Sequence, residues 1–288
     1  MLLFKNEDNY RQILQKAEDY LKENKIYEAK TDSFRLFEHI FLLGRLEYLL
    51  RANETPDKDM LKRYEEVIIQ RANHKPLQYI IGKTEFMGYE FMVNENVLIP
   101  RYDTEVLVDT VVKAIGDNKT IKLLDMCTGS SCIVSSIVLK TGIKNAVAVD
   151  ISDKALEIAK TNIENLGITD IELIQSDLFE KVDKAFDIIV SNPPYIKTKE
   201  IEELEKEVRL HEPMLALDGM EDGLYFYRKI TKEAIKHLLS GGRIFYEIGC
   251  DQAEDVTRLL EENGFVDIKV VKDLAGLNRV VYGRLMEE

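Results

Sequence analysis

Residues 187–195 read Asp-Ile-Ile-Val-Ser-Asn-Pro-Pro-Tyr, an apolar run that ends abruptly at two prolines. The run from Ile188 to Val190 predicts a short buried strand, since β-branched blocks suit a parallel strand that is covered on both faces. Two prolines continue neither a strand nor a helix, so they predict a stiff corner at the strand's carboxyl end. Open α/β sheets bind their ligands at such ends. The corner therefore places a carboxamide, Asn192, and a phenol, Tyr195, at a candidate ligand site.

Strand and helix patterns alternate from residue 121 onward. Short β-branched runs predict strands at 121–126, 146–150, 171–175, 187–191, 243–249, 265–272 and 278–284. Amphipathic stretches predict helices at 131–140, 153–166, 221–239 and 252–263. This alternation predicts an α/β protein with a mostly parallel sheet and helices on both faces. The acidic run at 200–207 is interpreted as the solvated face of a helix.

Residues 1–73 have a helical pattern and predict a small N-terminal bundle. A first helix is predicted from the apolar spacing between Tyr10 and Leu21, and a third from the start signal near Pro56. A second helix is predicted from a broader apolar stripe, formed by Phe34, Phe37, Ile40, Phe41, Leu43, Leu46 and Leu50. We expect this bundle to be a separate domain.

Residues 74–102 are predicted to link the bundle to a larger domain at 103–288. Partial alternation on both sides of Gly88 predicts a β-hairpin within this linker. A helix is predicted to begin at Asp103, with Asp103 or Thr104 as its cap.

Residues 121–132 read Ile-Lys-Leu-Leu-Asp-Met-Cys-Thr-Gly-Ser-Ser-Cys and predict a strand, a loop of small residues and the start of a helix. Small residues let a ligand approach the backbone, and free N–H groups at a helix start favour a carboxylate or a phosphate. The loop departs from the Gly-x-Gly-x-x-Gly pattern, so on its own it is weak evidence for a nucleotide site.

Asp150 ends the next predicted strand, where its carboxylate can accept hydrogen bonds from both hydroxyls of a ribose. The third strand is followed by Asp177, which can accept a hydrogen bond from an adenine amine, and by Leu178, which can pack on the ring. Four consecutive strands thus deliver polar or small residues at their carboxyl ends. This set fits an adenosine-bearing ligand with an anionic tail.

The net charge of −13 argues against tight binding to a long nucleic acid, which needs Lys and Arg to replace counterions. We therefore expect no DNA partner, whereas a basic protein partner is permitted. No stretch approaches the roughly 18 apolar residues of a membrane span, and the apolar block at the N-terminus is too short for a signal peptide. We expect a cytoplasmic monomer that does not engage a membrane. The three cysteines lack the spacing of a metal site, so no metal is expected.

The order of these elements resembles that of class I S-adenosylmethionine-dependent methyltransferases of the amino-group type. It consists of the small-residue loop, Asp150, the Ser-Asp-Leu sequence at 176–178 and the Asn-Pro-Pro-Tyr sequence at 192–195. Further blocks are similar to the HemK/PrmC family, the release factor glutamine methyltransferases. These blocks lie at 76–82, 85–88, 97–105, 212–213, 216–217, 222–224, 241–242, 247–249 and 273–276. The resemblance covers essentially the whole chain, although the bundle matches in layout more than in motif.

The resemblance implies a Rossmann-like, seven-stranded methyltransferase catalytic domain at 103–288, with S-adenosyl-L-methionine as cofactor and S-adenosyl-L-homocysteine as product. The residues that it places around the cofactor are Cys127, Thr128, Gly129, Ser130, Ser131, Asp150, Ile151, Asp177, Leu178 and Asn192. It also implies the substrate, the glutamine of the Gly-Gly-Gln loop of peptide chain release factors, methylated on N5. The N-terminal bundle would then be the surface on which the release factor docks.

Asn192, Pro193 and Tyr195 are the candidate catalytic residues, and together with Pro194 they form the candidate substrate site. A glutamine amide nitrogen is a poor nucleophile because its lone pair is delocalised into the carbonyl. The side-chain oxygen of Asn192 and the backbone oxygen of Pro193 can hold both N–H hydrogens, so catalysis would be mainly positioning. Tyr195 is expected to pack against the planar amide.

Two departures from the family pattern bear on these expectations. Cys127 and Ser131 stand where the family loop usually has glycine. If those glycines were needed for positive φ, cofactor binding would weaken, although small side chains favour tolerance. The family's Pro-Arg-Pro-Glu-Thr-Glu reads Pro-Arg-Tyr-Asp-Thr-Glu at 100–105, with one proline lost.

Other functions share parts of the pattern. Glutamine methylation of a ribosomal protein would use the same catalytic motif. An adenine-N6 DNA methyltransferase would use it on a flipped base, but would need a basic DNA-reading segment that the charge of the chain does not provide. A non-catalytic adenosine-binding scaffold would follow if Cys127 and Ser131 spoiled the loop. A nicotinamide dehydrogenase would need a positioned general acid that the sequence lacks near the corner.

Overall fold

The computed structural model describes residues 3–287 and divides them into two compact units. One, which we call the helical unit, consists of the chain up to Gly82 together with Glu205–His211. The other, the sheet unit, consists of Lys83–Leu204 and the chain from Glu212 onward. The domain boundaries at 73 and 102 stay a prediction.

The helical unit contains helices whose ends are set by local capping. Its helices are α1 (Tyr10–Glu23), α2 (Ala29–Phe41), α3 (Arg45–Arg51), α4 (Lys58–Ala72), α5 (Leu77–Ile81) and, later in the chain, α9 (Lys206–His211). At the start of α1 the side chain of Asn9 accepts the N–H of Gln12, and the side chain of Gln12 accepts the N–H of Asn9. Asp57 caps α4 with its side chain alone, which accepts the N–H groups of Asp59 and Met60.

The predicted second helix is wrong as one continuous element. Leu42 adopts a φ of 55°, which ends α2 and turns the chain before α3 begins. The apolar residues beyond the break therefore leave the face that α2 buries. Leu46 and Leu50 are 72% and 79% exposed, although the pattern predicted them to be on the apolar stripe.

The sheet unit begins with an antiparallel hairpin of β1 (Lys83–Phe86) and β2 (Tyr89–Met92), as the alternation around Gly88 predicted. Its remaining strands are β3 (Lys122–Met126), β4 (Asn145–Asp150), β5 (Ile171–Gln175), β6 (Phe186–Ser191), β7 (Leu238–Glu247), β8 (Phe265–Lys272) and β9 (Asn278–Leu285). Its helices are α6 (Glu105–Ile115), α7 (Cys132–Thr141), α8 (Asp153–Asn165), α10 (Met214–Leu217), α11 (Tyr225–His237) and α12 (Ala253–Glu262). Two 3₁₀ turns lie at Tyr102–Thr104 and Thr198–Glu203.

The seven later strands form one sheet in the order β5-β4-β3-β6-β7-β9-β8. The first five of these are parallel, and β9 is antiparallel to both β7 and β8. This confirms the predicted mostly parallel sheet. The chain moves from β3 outward to β4 and β5, and then crosses to β6 on the other side. The order therefore reverses between β3 and β6, which is the point where such sheets bind ligands.

Each face of the sheet carries its own apolar core, because successive side chains of a strand point to opposite faces. One core contains Leu123, Ile188 and Val190, packed with α6 and α7. The other contains Leu124 and Ile189 together with residues of α11 and α12. Burial on both faces explains why consecutive residues are apolar in β3 at Leu123-Leu124 and in β6 from Ile188 to Val190.

Three local predictions differ from the structure. The helix predicted at 221–239 ends at 237, because Leu238 already belongs to β7 and pairs with Phe186 of β6. The acidic run at 200–207 is not one helix face, since a 3₁₀ turn and the start of α9 share it. Thr104 is the first residue before α6 but makes no side-chain cap, and Asp103 instead pairs with Arg279 at 3.2 Å.

Across residues 3–287, no helix combines the length and the apolar character that crossing a membrane requires.

Candidate active site

A cleft opens in the sheet unit at the carboxyl ends of β3, β4, β5 and β6, beside the point where the strand order reverses. Its cavity volume is about 350 Å³, within the range of small-ligand sites. Nine of the ten predicted cofactor residues line it, namely Cys127, Thr128, Gly129, Ser130, Asp150, Ile151, Asp177, Leu178 and Asn192. The tenth, Ser131, is completely buried and does not line the cleft. The cleft thus gathers the predicted residues, while their roles in binding stay a prediction.

The loop after β3 has its shape fixed by three residues in the left-handed region. The φ angles are 65° at Cys127, 53° at Gly129 and 65° at Ser131. A non-glycine residue there costs about 1–2 kcal/mol. The two positions where the family loop usually has glycine therefore do require positive φ, and small side chains adopt it here. The N–H of Thr128 donates to the carbonyl of Val149 at 2.9 Å, which holds the loop against β4.

Asp125 supports this loop from below. Its carboxylate accepts the hydroxyl of Thr128 at 2.7 Å. Burial raises the pKa of Asp125 to about 7, although the Thr128 hydroxyl and the backbone of Val134 oppose that rise. Its Oδ1 atom is buried and has no hydrogen-bond partner. Asp125 was not predicted as a site residue, because a single carboxylate within a strand carries no signal of its own.

Asp150 lies at the end of β4 with its carboxylate anchored to two backbone groups. Oδ2 accepts the N–H of Gly129 at 2.9 Å, and Oδ1 accepts the N–H of Ser152 at 3.0 Å. Burial raises the pKa of Asp150 against these two donors. A carboxylate has about four acceptor sites, so it retains capacity for two more donors. This geometry suits the two hydroxyls of a ribose.

The third edge of the cleft is the turn after β5. The N–H of Ser176 donates to the carbonyl of Asp150 at 3.0 Å and so aligns this turn with β4. Asp177 and Leu178 both line the cleft, and Leu178 has a φ of 48°. An acceptor and an apolar side chain thus stand side by side, as an adenine ring would need.

The corner that contains Asn192 and Tyr195 is tied to its surroundings. The hydroxyl of Ser191 donates to the carbonyl of Met126 at 2.7 Å, which joins the end of β6 to β3. The amide of Gln252 donates to the carbonyl of Tyr195 at 3.0 Å. A Cβ on Gly219 would lie 2.7 Å from the Tyr195 backbone, so this close approach requires glycine. The corner is therefore a fixed platform.

The four residues of the corner differ in access to the cleft. Asn192 and Pro194 line it, whereas Pro193 and Tyr195 do not. Pro193 is buried, and Tyr195 packs against the apolar core that contains Leu124 and Ile189. Burial raises the pKa of the Tyr195 phenol, which therefore stays protonated near neutral pH.

Several cleft residues were not predicted as site residues. They are Pro100, Arg101, Thr104, Ser176, Phe226 and Lys229 among others. Arg101 forms an ion pair with the buried Glu212. Pro100, Arg101 and Thr104 fall in the block at 97–105, and Phe226 follows the block at 222–224. Those blocks were the available signal, but their pattern gave no indication that these segments line the cleft.

Among residues 3–287, no group of three or more His, Cys, Asp or Glu side chains is placed to hold a metal ion. Burial raises the pKa of the Cys132 thiol to about 12. Burial raises the pKa of the Cys127 thiol further still. Both thiols are therefore neutral in the cleft.

The strand order and the cleft at its reversal define a class I methyltransferase domain. A methyltransferase from Pyrococcus furiosus has the same fold, with a TM-score of 0.52 at 16% identity, covering 70% of this chain and 91% of that one. A family model described as "Methyltransferase small domain" matches residues 102–211. A second, described as "PrmC N-terminal domain", matches residues 12–82.

Relatives that match nearly the whole chain identify the family within the methyltransferase class. The release factor glutamine methyltransferase of Clostridium acetobutylicum is 40% identical over 275 residues, which cover 94% of this chain and 96% of the relative. The release factor glutamine methyltransferase of Geobacter sulfurreducens is 37% identical over 276 residues, 96% of each chain. The chain belongs to the release factor glutamine methyltransferase family. The resemblance inferred from the sequence is confirmed.

Proposed function

We propose that this protein transfers a methyl group from S-adenosylmethionine to the side-chain amide nitrogen of a glutamine in peptide chain release factors. The observation that carries the proposal is the position of the Asn192 carboxamide. It borders a cleft that has acceptors for an adenosine, at the reversal of strand order. The names of the full-length relatives support the choice of substrate.

The residues of the cleft fit the proposed cofactor. Asp150 would accept the ribose hydroxyls, because two acceptor sites of its carboxylate remain free of backbone donors. Asp177 and Leu178 would hold the adenine. A Cβ built on Gly129 would meet no atom within 4 Å, so the backbone there is open to the ligand's tail. When bound, the cofactor supplies an electrophilic methyl group on a sulfonium.

Asn192 and Pro193 would bind the substrate amide. The glutamine N–H₂ group carries two hydrogens, and the Asn192 side-chain oxygen and the Pro193 carbonyl oxygen would accept one each. Held in this way, the nitrogen would direct its lone pair into the cleft. Catalysis then rests on orientation and on exclusion of water, effects that supply about 7–11 kcal/mol in well-aligned reactions.

No strong base is required before the attack, because the leaving group departs as a neutral sulfide. The nitrogen loses one proton after methylation. Tyr195, with a neutral phenol and a fixed backbone, would present a flat surface to the substrate. Because Tyr195 does not line the cleft itself, its contact with the amide stays a prediction.

The test is methyl transfer from labelled S-adenosylmethionine to a purified release factor. The factor is used with the glutamine of its Gly-Gly-Gln loop intact and with that glutamine changed to alanine. We expect label only on the intact factor. Label on both factors would contradict the assigned site. Label on neither, with cofactor binding shown by calorimetry, would contradict the assigned substrate and favour a ribosomal protein or a DNA base.

We further propose that the N-terminal bundle, residues 1–73, docks the release factor. The support is the exposed apolar face of α3, on which Leu46, Leu49 and Leu50 lie three and four residues apart and are 69–79% exposed. Exposed leucines clustered on one surface mark an interaction site more often than isolated ones do.

The docking proposal is tested with L46S/L50S and with I235S on α11 of the sheet unit as control. We expect the double variant to raise the KM for the intact factor about tenfold and to leave cofactor affinity unchanged. A tenfold change is about 1.4 kcal/mol, which is less than the roughly 1.5–3 kcal/mol that one fully buried apolar side chain contributes, so a smaller change in KM would argue against docking at this patch.

A further inference from the structure

Glu247 is a buried carboxylate that the proposed function does not use. It is the last residue of β7 and is 2% exposed. Ser191 of β6 pairs in register with Tyr246 of β7, and the two strands are parallel. Asn192 and Glu247 therefore follow that pair side by side at the carboxyl end of the sheet. Glu247 does not line the cleft, whereas Asn192 does.

The environment of Glu247 is chemically unusual. Burial raises the pKa of its carboxyl to about 7, and the Thr104 side chain, the charge of Arg279 and the Asn192 side chain oppose that rise. Its Oε2 atom is fully buried and has no hydrogen-bond partner. A buried carboxylate with an unused acceptor costs stability, and a role in function would explain that cost.

The chemistry of the pair determines how Asn192 is turned. An ionised carboxylate only accepts hydrogen bonds, so the side of Asn192 that faces it is its N–H₂ group. The carboxamide oxygen then points the other way. If the Asn192 carboxamide were rotated by half a turn, its N–H₂ group would face the N–H₂ group of the substrate amide, and two donors cannot bind each other.

We propose that Glu247 is a positioning residue that holds the Asn192 side chain by its N–H₂ group and so directs its oxygen to the substrate amide. This inference rests on the proposed function, because it assigns Asn192 to the glutamine nitrogen. When Glu247 is protonated it becomes a donor, and the orientation of Asn192 is lost or inverted. Turnover should therefore depend on the charge of a residue that does not touch the substrate.

Other charged or titratable groups surround Glu247 from neighbouring elements. They are Asp103, Cys132, Tyr195, Tyr227 and Arg279. Arg279 keeps its charge, and the raised pKa of the phenols and of the thiol keeps them neutral near pH 7. Asp103 is paired with Arg279 at 3.2 Å. Asp125 of β3 has a pKa near that of Glu247, and the two are separated because E247Q keeps Asp125 and removes only the Glu247 carboxyl.

The kinetic experiment compares wild type, E247Q, E247A and D187N in kcat at saturating cofactor and release factor, from about pH 6 to about pH 8.5. Asp187 is the matched control, since it is a carboxylate at the opposite end of β6 and binds the backbone of Lys122. We expect the kcat of wild type and D187N to fall as the pH drops below about 7. E247Q and E247A should be about 10–100-fold slower at high pH and lack that acid limb.

A second readout does not need turnover. The side-chain N–H₂ resonances of Asn192 in a ¹⁵N-labelled protein, assigned by their loss in N192A, should shift with pH in wild type and not in E247Q. Cofactor affinity should stay within about threefold in every Glu247 variant, since none of them alters a residue that lines the cleft.

The outcomes separate the two proposals. An E247Q enzyme with wild-type kcat and an unchanged acid limb would overturn the positioning role, as would Asn192 resonances that ignore pH in wild type. If wild type transfers no methyl group to the release factor, the proposed function fails. The resonance titration still decides whether Glu247 controls Asn192.

Discussion

Two loops border the cleft, and they are specified in different ways. The loop after β3 is defined by backbone conformation, with positive φ at Cys127, Gly129 and Ser131. The corner after β6 is defined by side-chain chemistry, with a carboxamide at Asn192 followed by two prolines. The first has lost two of the family's usual glycines, whereas the second keeps every residue of its motif.

The difference follows from what each loop offers a ligand. A loop that binds through backbone N–H groups needs only a shape, and any small residue that reaches that shape at a cost of about 1–2 kcal/mol preserves it. A corner that binds through an amide oxygen needs that atom, because no other side chain of similar size offers one neutral acceptor and two donors. Substitutions should therefore be tolerated at the first loop and not at the second.

The largest effect is expected from N192A. Loss of the acceptor should lower kcat by about 100–1,000-fold, the range found when one stabilising polar group is removed from a preorganised site. Cofactor affinity should stay within a few-fold, because Asp150 and the β3 loop are intact. Steady-state kinetics and calorimetry measure the two quantities. N145A, at the opposite end of the sheet, is the control, and wild-type turnover in N192A would remove the distinction between the loops.

The second effect is expected from D150A, which should mainly weaken cofactor binding. Hydrogen bonds to a charged group contribute about 1.5–3 kcal/mol each, so loss of two should raise the dissociation constant by at least about 100-fold. The kcat at saturating cofactor should change much less than in N192A. D153A, at the exposed start of α8, serves as control. Titration of D150A with wild-type affinity would show that the cofactor is held by the backbone alone.

Much of this fold could be predicted because periodicity reports burial. β3 contains the apolar pair Leu123-Leu124 and β6 the run from Ile188 to Val190, and the ends of both strands fall within a residue of the prediction. The break at Leu42 could not be predicted, since nothing in its side chain announces a positive φ, and the apolar stripe continues past it. The start of β7 was missed for a similar reason: pairing of Leu238 with Phe186, rather than local propensity, ends α11.

Site residues could be predicted where they directly follow, or end, a strand that is recognisable in the sequence. Asp150, Asp177 and Asn192 each follow a recognisable strand, and all three line the cleft. Glu247 and Gln252 were not predicted to act, because their contacts with the corner arise from strand register and from a helix start far along the chain. Pairwise geometry of this kind has no signature in a single sequence.

A smaller effect should show whether the backbone conformation or the particular side chain at residue 127 specifies the β3 loop. C127G should leave stability and cofactor affinity within about 1 kcal/mol of wild type, because glycine adopts the required φ freely. C127V should lose about 1–2 kcal/mol of stability and bind cofactor more weakly, since a β-branched residue is strained at positive φ. Denaturant unfolding and calorimetry measure both, with C250V at an exposed cysteine as control. Equal behaviour of C127G and C127V would mean that φ does not specify this loop.

The smallest effect concerns stability at the corner, where the buried charge of Glu247 should lower the free energy of unfolding. The pKa of Glu247 is raised by burial from 4.5 to about 7, so its stabilising contribution is fully present below about pH 4.5 and is lost as the pH rises through about 7. E247Q carries no such charge. Its melting temperature should therefore exceed that of wild type by about 2–4 °C at pH 8, and the gap should close as the pH falls. Asp125 titrates in the same range in both proteins and cancels from the difference.

Differential scanning calorimetry at several pH values measures this difference in melting temperature. A variant that is more stable yet slower would show that the corner is built for chemistry at the expense of stability, while a less stable E247Q would make Glu247 a structural residue of the sheet.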